Sequence, residues 1–204
     1  MATSADTAPL PRGRHRLSRE TVVSSQRRRL VRGMAEAVAE KGYVHTSVAE
    51  VLRRARVSRE SFYEHFRDKE DCFLAAYDAG VGSIQRAMRE REEGDELEGE
   101  SLERVIAAYL GVLADDPAFA RTCLIEIYAV GPKALERRSV LRGGFVDLVA
   151  EMVDAGEEDR FACEAFVAAV SSLVTDRVGA GRTHELPALR GPIIELAHRM
   201  ALVG

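Results

Sequence analysis

The chain has 204 residues, a formal net charge of −4, 46% hydrophobic and 30% charged residues, and only 16 Gly and 6 Pro. That is room for a small unit joined to a larger one with its own core, and the balance belongs to a folded helical chain rather than a disordered one. No apolar run approaches the ~20 residues that span a bilayer, and residues 1–19 lack the apolar stretch of a secretory signal, so a flexible tail, no membrane partner and a cytoplasmic location are expected.

Divided along the chain, the charge separates into two opposite halves. Residues 12–69 hold 15 Lys/Arg against 7 Asp/Glu, a net of +8, whereas residues 70–204 hold 14 against 25, a net of −11. A basic segment of this kind suits a polyanion such as DNA, and the acidic remainder would be repelled by it. Charge alone leaves open a solvated basic face with no partner. The three cysteines (Cys72, Cys123, Cys163) and five histidines lack the spacing of a disulfide framework or metal site, so neither metal nor cofactor is expected.

Taken in order, the first amphipathic helix is expected over Ser24–Lys41, with Leu30, Met34, Ala37 and Val38 on one stripe, Ser24 or Ser25 as its cap and Gly42 as its terminator. Ser47-x-x-Glu50 has the form of a capping box and predicts a short second helix burying Val48, Val51, Leu52 and Ala55. Ser58 offers a fresh cap only a few residues later, so a third helix runs to about Phe66 with Phe62 and Phe66 inward. Two short helices joined by so tight a turn make a helix-turn-helix. Asp68 caps a long fourth helix, Lys69 to about Arg89, carrying Phe73, Ala76, Tyr77 and Ile84 on one face. The stretch 90–100, with seven acids and two glycines, reads as a frayed end and linker. Apolar-periodic segments follow near 101–113, 117–130, 132–154, 159–178 and 187–203. The expected fold is all-α with about nine helices: a tail over 1–19, a helix-turn-helix domain over 20–67 and a helical regulatory and dimerisation domain over 68–204.

The run Gly42-Tyr43-x-x-Thr46-Ser47-Val48-x-x-Val51, followed by Val57-Ser58-x-x-x-Phe62-Tyr63-x-His65-Phe66-x-x-Lys69-Glu70, closely resembles the DNA-binding region of TetR-family transcriptional regulators. The resemblance covers about Gln26–Tyr77; beyond it only length and helical pattern agree. One departure is Arg56, where the family usually places a left-handed Gly, at an expected cost of about 1 kcal/mol. Either its charge recovers binding at a phosphate or the strain is simply tolerated.

In a helix-turn-helix the second helix enters the major groove, so base readout falls to Arg59 and Glu60, with Ser58 capping the helix and donating to a phosphate. The resemblance implies phosphate contacts for Tyr63, His65, Lys69, Thr46 and Ser47. The tail residues Arg12, Arg14 and Arg16 either reach a neighbouring minor groove or make no contact. One recognition helix reads too little DNA, so a homodimer on a palindromic operator is expected, a repressor by the family's habit. The interface candidates are Phe161, Phe166, Val170, Leu173, Ile193, Ile194, Leu196 and Met200, unless these stripes close the chain's own core. Tyr109, Leu113, Cys123, Ile127, Tyr128, Phe145, Leu148 and Met152 are candidates to line a pocket for an unidentified small-molecule inducer, unless they are plain core.

An enzyme is not expected: there is no nucleophile elbow, phosphate loop or dinucleotide fingerprint, and His184-Glu185 falls in a Gly-rich connection. A ligand-binding helical enzyme and a non-specific DNA-packaging protein are the two rival readings.

Overall fold

The computed structural model describes residues 19–92 and 98–202, and over these the chain is helical with no strand. The helices are α1 (Arg19–Lys41), α2 (Val48–Ala55), α3 (Arg59–His65), α4 (Lys69–Glu92), α5 (Glu98–Asp115), α6 (Pro117–Leu124), α7 (Pro132–Met152), α8 (Arg160–Gly179) and α9 (Arg190–Arg199). Short 3-10 helices at Glu126–Ala129 and Thr183–Leu189 follow α6 and precede α9. Arg12, Arg14, Arg16 and residues 93–97 of the acidic stretch lie outside the described residues. Among the described residues no helix is long and apolar enough to cross a membrane.

Two compact units divide the chain inside α4, one up to Ala79 and one from Gly80. In the first, Leu30, Met34, Ala37 and Val38 of α1 are fully buried, together with Val51 and Ala55 of α2, Phe62 and Phe66 around α3, and Cys72, Phe73, Ala76 and Tyr77 of α4. Burial pushes the Cys72 thiol up to about 12, which keeps it a protonated core group rather than a thiolate. The expected start of α1 moves: Ser24 and Ser25 lie inside a helix already formed at Arg19, and neither caps it. Its far end stops as expected, with Gly42 at φ 78° and its N–H donating to the Val38 carbonyl at 2.8 Å.

The second unit has its own core, in which Leu102, Leu110 and Leu113 of α5, Phe166 and Val174 of α8, Leu186 of the second 3-10 helix and Ile193 of α9 are buried. α5 packs on the second 3-10 helix, α9, α6 and α7, and α7 packs on α8. Local chemistry sets the joints: the Asp116 carboxylate accepts from Phe119 N–H at 3.2 Å with Pro117 in the first turn of α6, and Pro132 opens α7 after Gly131. Pro187 does not open the last helix. It sits within the 3-10 segment, and α9 starts three residues later.

Candidate nucleic-acid interface

Three tight elements in sequence, α2, the turn at Arg56-Val57 and α3, build the site. Ser47 caps α2 by accepting from Glu50 N–H at 3.3 Å, the first half of the capping box. The reciprocal half is replaced: the Glu50 carboxylate receives Arg53 at 2.6 Å, Arg54 at 3.2 Å and Lys41 at 3.3 Å, so its side chain serves the basic cluster instead of the Ser47 amide. The hydrogen bond from Arg53 in particular holds the carboxyl well down, to about 2. Arg54 also reaches Glu40 on α1.

α2 ends on Arg56 in the left-handed conformation (φ 52°, ψ 49°), its N–H donating to the Leu52 carbonyl. The turn is held from outside by Arg29 of α1, whose guanidinium donates to the carbonyls of Ala55 at 3.0 Å and Arg56 at 3.2 Å. Gly33 allows α1 to come this close, because a Cβ there would stand 3.2 Å from both Ala55 N and Val51 O. Sequence reasoning missed Arg29 and Gly33, since both act on partners more than 17 residues away and a glycine within a helix carries no local signal of a close approach. Arg56 itself is exposed. Arg56→Gly is expected to raise stability by up to about 1 kcal/mol in urea unfolding, because relief of left-handed strain is partly offset by the added freedom of the unfolded chain. If Arg56 also grips a phosphate, the same variant lowers the salt slope of DNA binding by about one.

Ser58, in extended conformation, caps α3 by accepting from Ser61 N–H at 3.1 Å. Arg59, Glu60, Tyr63 and Glu64 then stand in solvent, while Phe62 faces the core. Arg59 donates to the Tyr63 hydroxyl at 3.2 Å, and its guanidinium carbon lies 5.4 Å from the Tyr63 ring centroid.

The phosphate-contact candidates are placed unequally. Thr46 is 2% exposed and its hydroxyl donates to the Gly42 carbonyl at 2.8 Å, so its side chain fixes the turn before α2. Ser47 and Tyr63 are exposed. His65 is half-buried; its Nε2 is enclosed without a hydrogen-bond partner, and burial pulls its pKa down, which favours the neutral imidazole and weakens it as a cation for phosphate. Lys69 donates to the Tyr43 carbonyl at 2.9 Å and sits 4.0 Å over the Tyr43 ring, with burial drawing its pKa down. Two of its three N–H groups are left over from that bond, so it is aimed and still able to donate.

The second unit separates the remaining candidates. Of the interface set, Phe166, Val170 and Ile193 are buried in the unit's own core, Leu173, Ile194, Leu196 and Met200 are half-buried against it, and Phe161 is 78% exposed. Of the pocket set, Leu113, Cys123 and Ile127 are buried and Tyr109, Phe145, Leu148 and Met152 half-buried, with the Tyr109 and Phe145 rings 6.4 Å apart. Tyr128 does not join them: it is 54% exposed beneath the Arg138 guanidinium, 4.9 Å from its ring centroid. Among the described residues no group of three His, Cys, Asp or Glu side chains is placed to hold a metal ion.

Residues 31–76 match the family model described as bacterial regulatory proteins, tetR family. The fatty acid metabolism regulator protein of Bacillus subtilis is 22% identical over 176 residues, covering 82% of this chain and 91% of that protein. The fold is shared with the fatty acid degradation regulator FadR of Bacillus halodurans (TM-score 0.76, 20% identity, 84% of this chain and 93% of that one). It is shared also with the transcriptional regulator FadR of B. subtilis, solved in complex with stearoyl-CoA (TM-score 0.70, 21% identity, 83% and 96%). A TetR-like transcriptional regulator from Rhodococcus sp. RHA1 superposes with TM-score 0.73 at 17% identity over 93% of this chain and 100% of its own. Residues 31–76 are thus matched as a tetR-family DNA-binding region, and the chain shares the fold of bacterial transcriptional regulators.

Proposed function

We propose that this regulator is a homodimeric repressor that binds a palindromic operator through α3 and its flanking caps, and leaves it when a long-chain acyl thioester of coenzyme A binds the helical second unit. The capped α3, presenting Arg59, Glu60 and Tyr63 to solvent beside a fixed turn, carries the DNA half of the reading. Phosphates are gripped by Ser47, Ser58, Arg56, Tyr63 and Lys69, with Thr46 and His65 supporting the turns around them. Two copies place two such helices about one helical turn of DNA apart, which is what makes a palindrome the expected target.

The ligand half rests on the relatives. Their likeness extends well past residue 76 into the second unit, one of them holds stearoyl-CoA, and the candidates Tyr109, Leu113, Phe145, Leu148 and Met152, which belong to or pack against one buried cluster, with Cys123 and Ile127 buried outside it, would supply the apolar surface an acyl chain needs. Release requires the ligand to favour the conformer whose recognition helices are misspaced, and α4, which starts at Lys69 and runs on into the second unit, is the element able to carry that bias. Phe161, exposed at the start of α8, with Leu173, Ile194, Leu196 and Met200, remains available for the dimer contact.

Selection of random duplexes by the purified full chain at near-physiological salt should enrich one palindrome, and stearoyl-CoA, but not free coenzyme A, should release it. Survival of unrelated sequences would refute sequence-specific regulation; a palindrome retained at saturating stearoyl-CoA would refute the ligand class alone.

A further inference from the structure

We infer that Tyr63 is the positioning residue for Arg59, and that it determines how strongly the protein demands guanine at one base pair of each half-site; this rests on the operator-binding reading above. Arg59 and Tyr63 lie four residues apart on α3, on neighbouring positions of one helical face. The Arg59 guanidinium is engaged twice by the same side chain, through a hydrogen bond of 3.2 Å to the hydroxyl and a cation–ring distance of 5.4 Å. Among the described residues it has no carboxylate at ion-pair distance, although Glu60 and Glu64 stand on the same short helix. Tyr63 is therefore what selects the rotamer of Arg59 in the free protein.

The donor count makes this pairing useful for readout. A guanidinium has five N–H groups in a planar fork, and the bond to Tyr63 consumes one, leaving an edge with two parallel donors for guanine N7 and O6. An arginine already confined to one rotamer loses less freedom on binding than one that samples many, so the bidentate contact is strengthened for the base that matches it and not for the others. The Tyr63 oxygen accepts from Arg59, which leaves its own O–H proton free to donate to a phosphate. Backbone grip and base readout are thus joined in one pair of side chains. A tyrosine that only gripped phosphate would add affinity for every sequence equally.

The difference is measurable by selecting random duplexes with the full-length wild type, Arg59→Ala, Tyr63→Leu and Tyr63→Phe, and comparing base preference position by position. The wild type should show a guanine preferred by about tenfold or more that Arg59→Ala erases. Tyr63→Leu should reduce that one preference to about twofold with the other positions unchanged, and Tyr63→Phe, which keeps the ring but not the hydroxyl, should fall between them. The inference is overturned if Tyr63→Leu weakens all sequences alike and keeps the guanine preference, or if Arg59→Ala leaves every preference intact. A wild type that selects no sequence would remove the operator-binding reading and this inference with it.

Discussion

Phe62→Ala is expected to lower the stability of the DNA-binding unit by about 3–5 kcal/mol, the range for truncating a fully buried phenylalanine. Phe62 is 0% exposed; its ring centroid lies 5.7 Å from that of Phe66 and 5.3 Å from that of Tyr63. Phe66 in turn carries the Arg27 guanidinium of α1 at 5.3 Å. A unit of fewer than 80 residues has a total stability on the order of 4–10 kcal/mol, so the loss is comparable to the whole. Operator binding should fall by about 100-fold or more, because α3 has no hydrophobic anchor besides Phe62 and Phe66 and is far too short to persist alone. Phe62→Leu, which keeps most of the volume, should retain binding at a cost nearer 1 kcal/mol. Urea unfolding followed alongside DNA binding checks both variants, and an unchanged midpoint for Phe62→Ala would show that α3 is held by something other than its aromatic side.

The DNA-binding half was readable from sequence because its signals are local. Ser47 and Ser58 cap within three residues of themselves, Asp68 caps α4 by accepting from Asp71 N–H at 2.8 Å, and Gly42 ends α1, whereas the left-handed turn at Arg56 was expected from the family resemblance alone. What periodicity could not supply was partnership at a distance. Arg29 reaching the turn, Gly33 under α2 and Lys69 on Tyr43 join positions 18 to 27 residues apart, and nothing in the intervening sequence marks them. The start of α1 was misplaced for a different reason: Thr21-Val22-Val23-Ser24-Ser25 resembles a boundary, yet each of these residues costs only a few tenths of a kcal/mol in a helix, too little to stop one. In the second unit an apolar stripe has the same period whether it faces its own core or another molecule. Phe166 and Phe161 therefore looked alike in sequence, although one is buried and the other stands in solvent.

Gly80→Ala and Gly82→Ala, two residues apart on α4, are expected to change stability in opposite directions. In an ordinary helix interior the replacement of glycine by alanine gains about 1 kcal/mol. Gly82 meets that condition, since a Cβ there would touch nothing within 4 Å. At Gly80 the same Cβ would lie 2.7 Å from the Cys123 sulfur and 3.1 Å from the Phe119 ring of α6. Cys123 is itself buried, so the sulfur can retreat only by disturbing its neighbours, and overpacking of this kind costs about 1–3 kcal/mol. The clash therefore outweighs the gain in helix propensity, and Gly80→Ala should be net destabilising by about 1 kcal/mol. Adding Cys123→Ala removes the nearest atom and should recover most of the Gly80→Ala penalty, though not all, because the Phe119 carbon stays in place. Urea midpoints for the two single variants, Cys123→Ala and the double variant measure the coupling; additive effects would mean that α4 and α6 do not approach at Gly80. If α4 carries the signal of the ligand proposed above, this contact is also where a shift of α6 would be felt, so Gly80→Ala should alter the concentration of that ligand needed for release while Gly82→Ala leaves it unchanged.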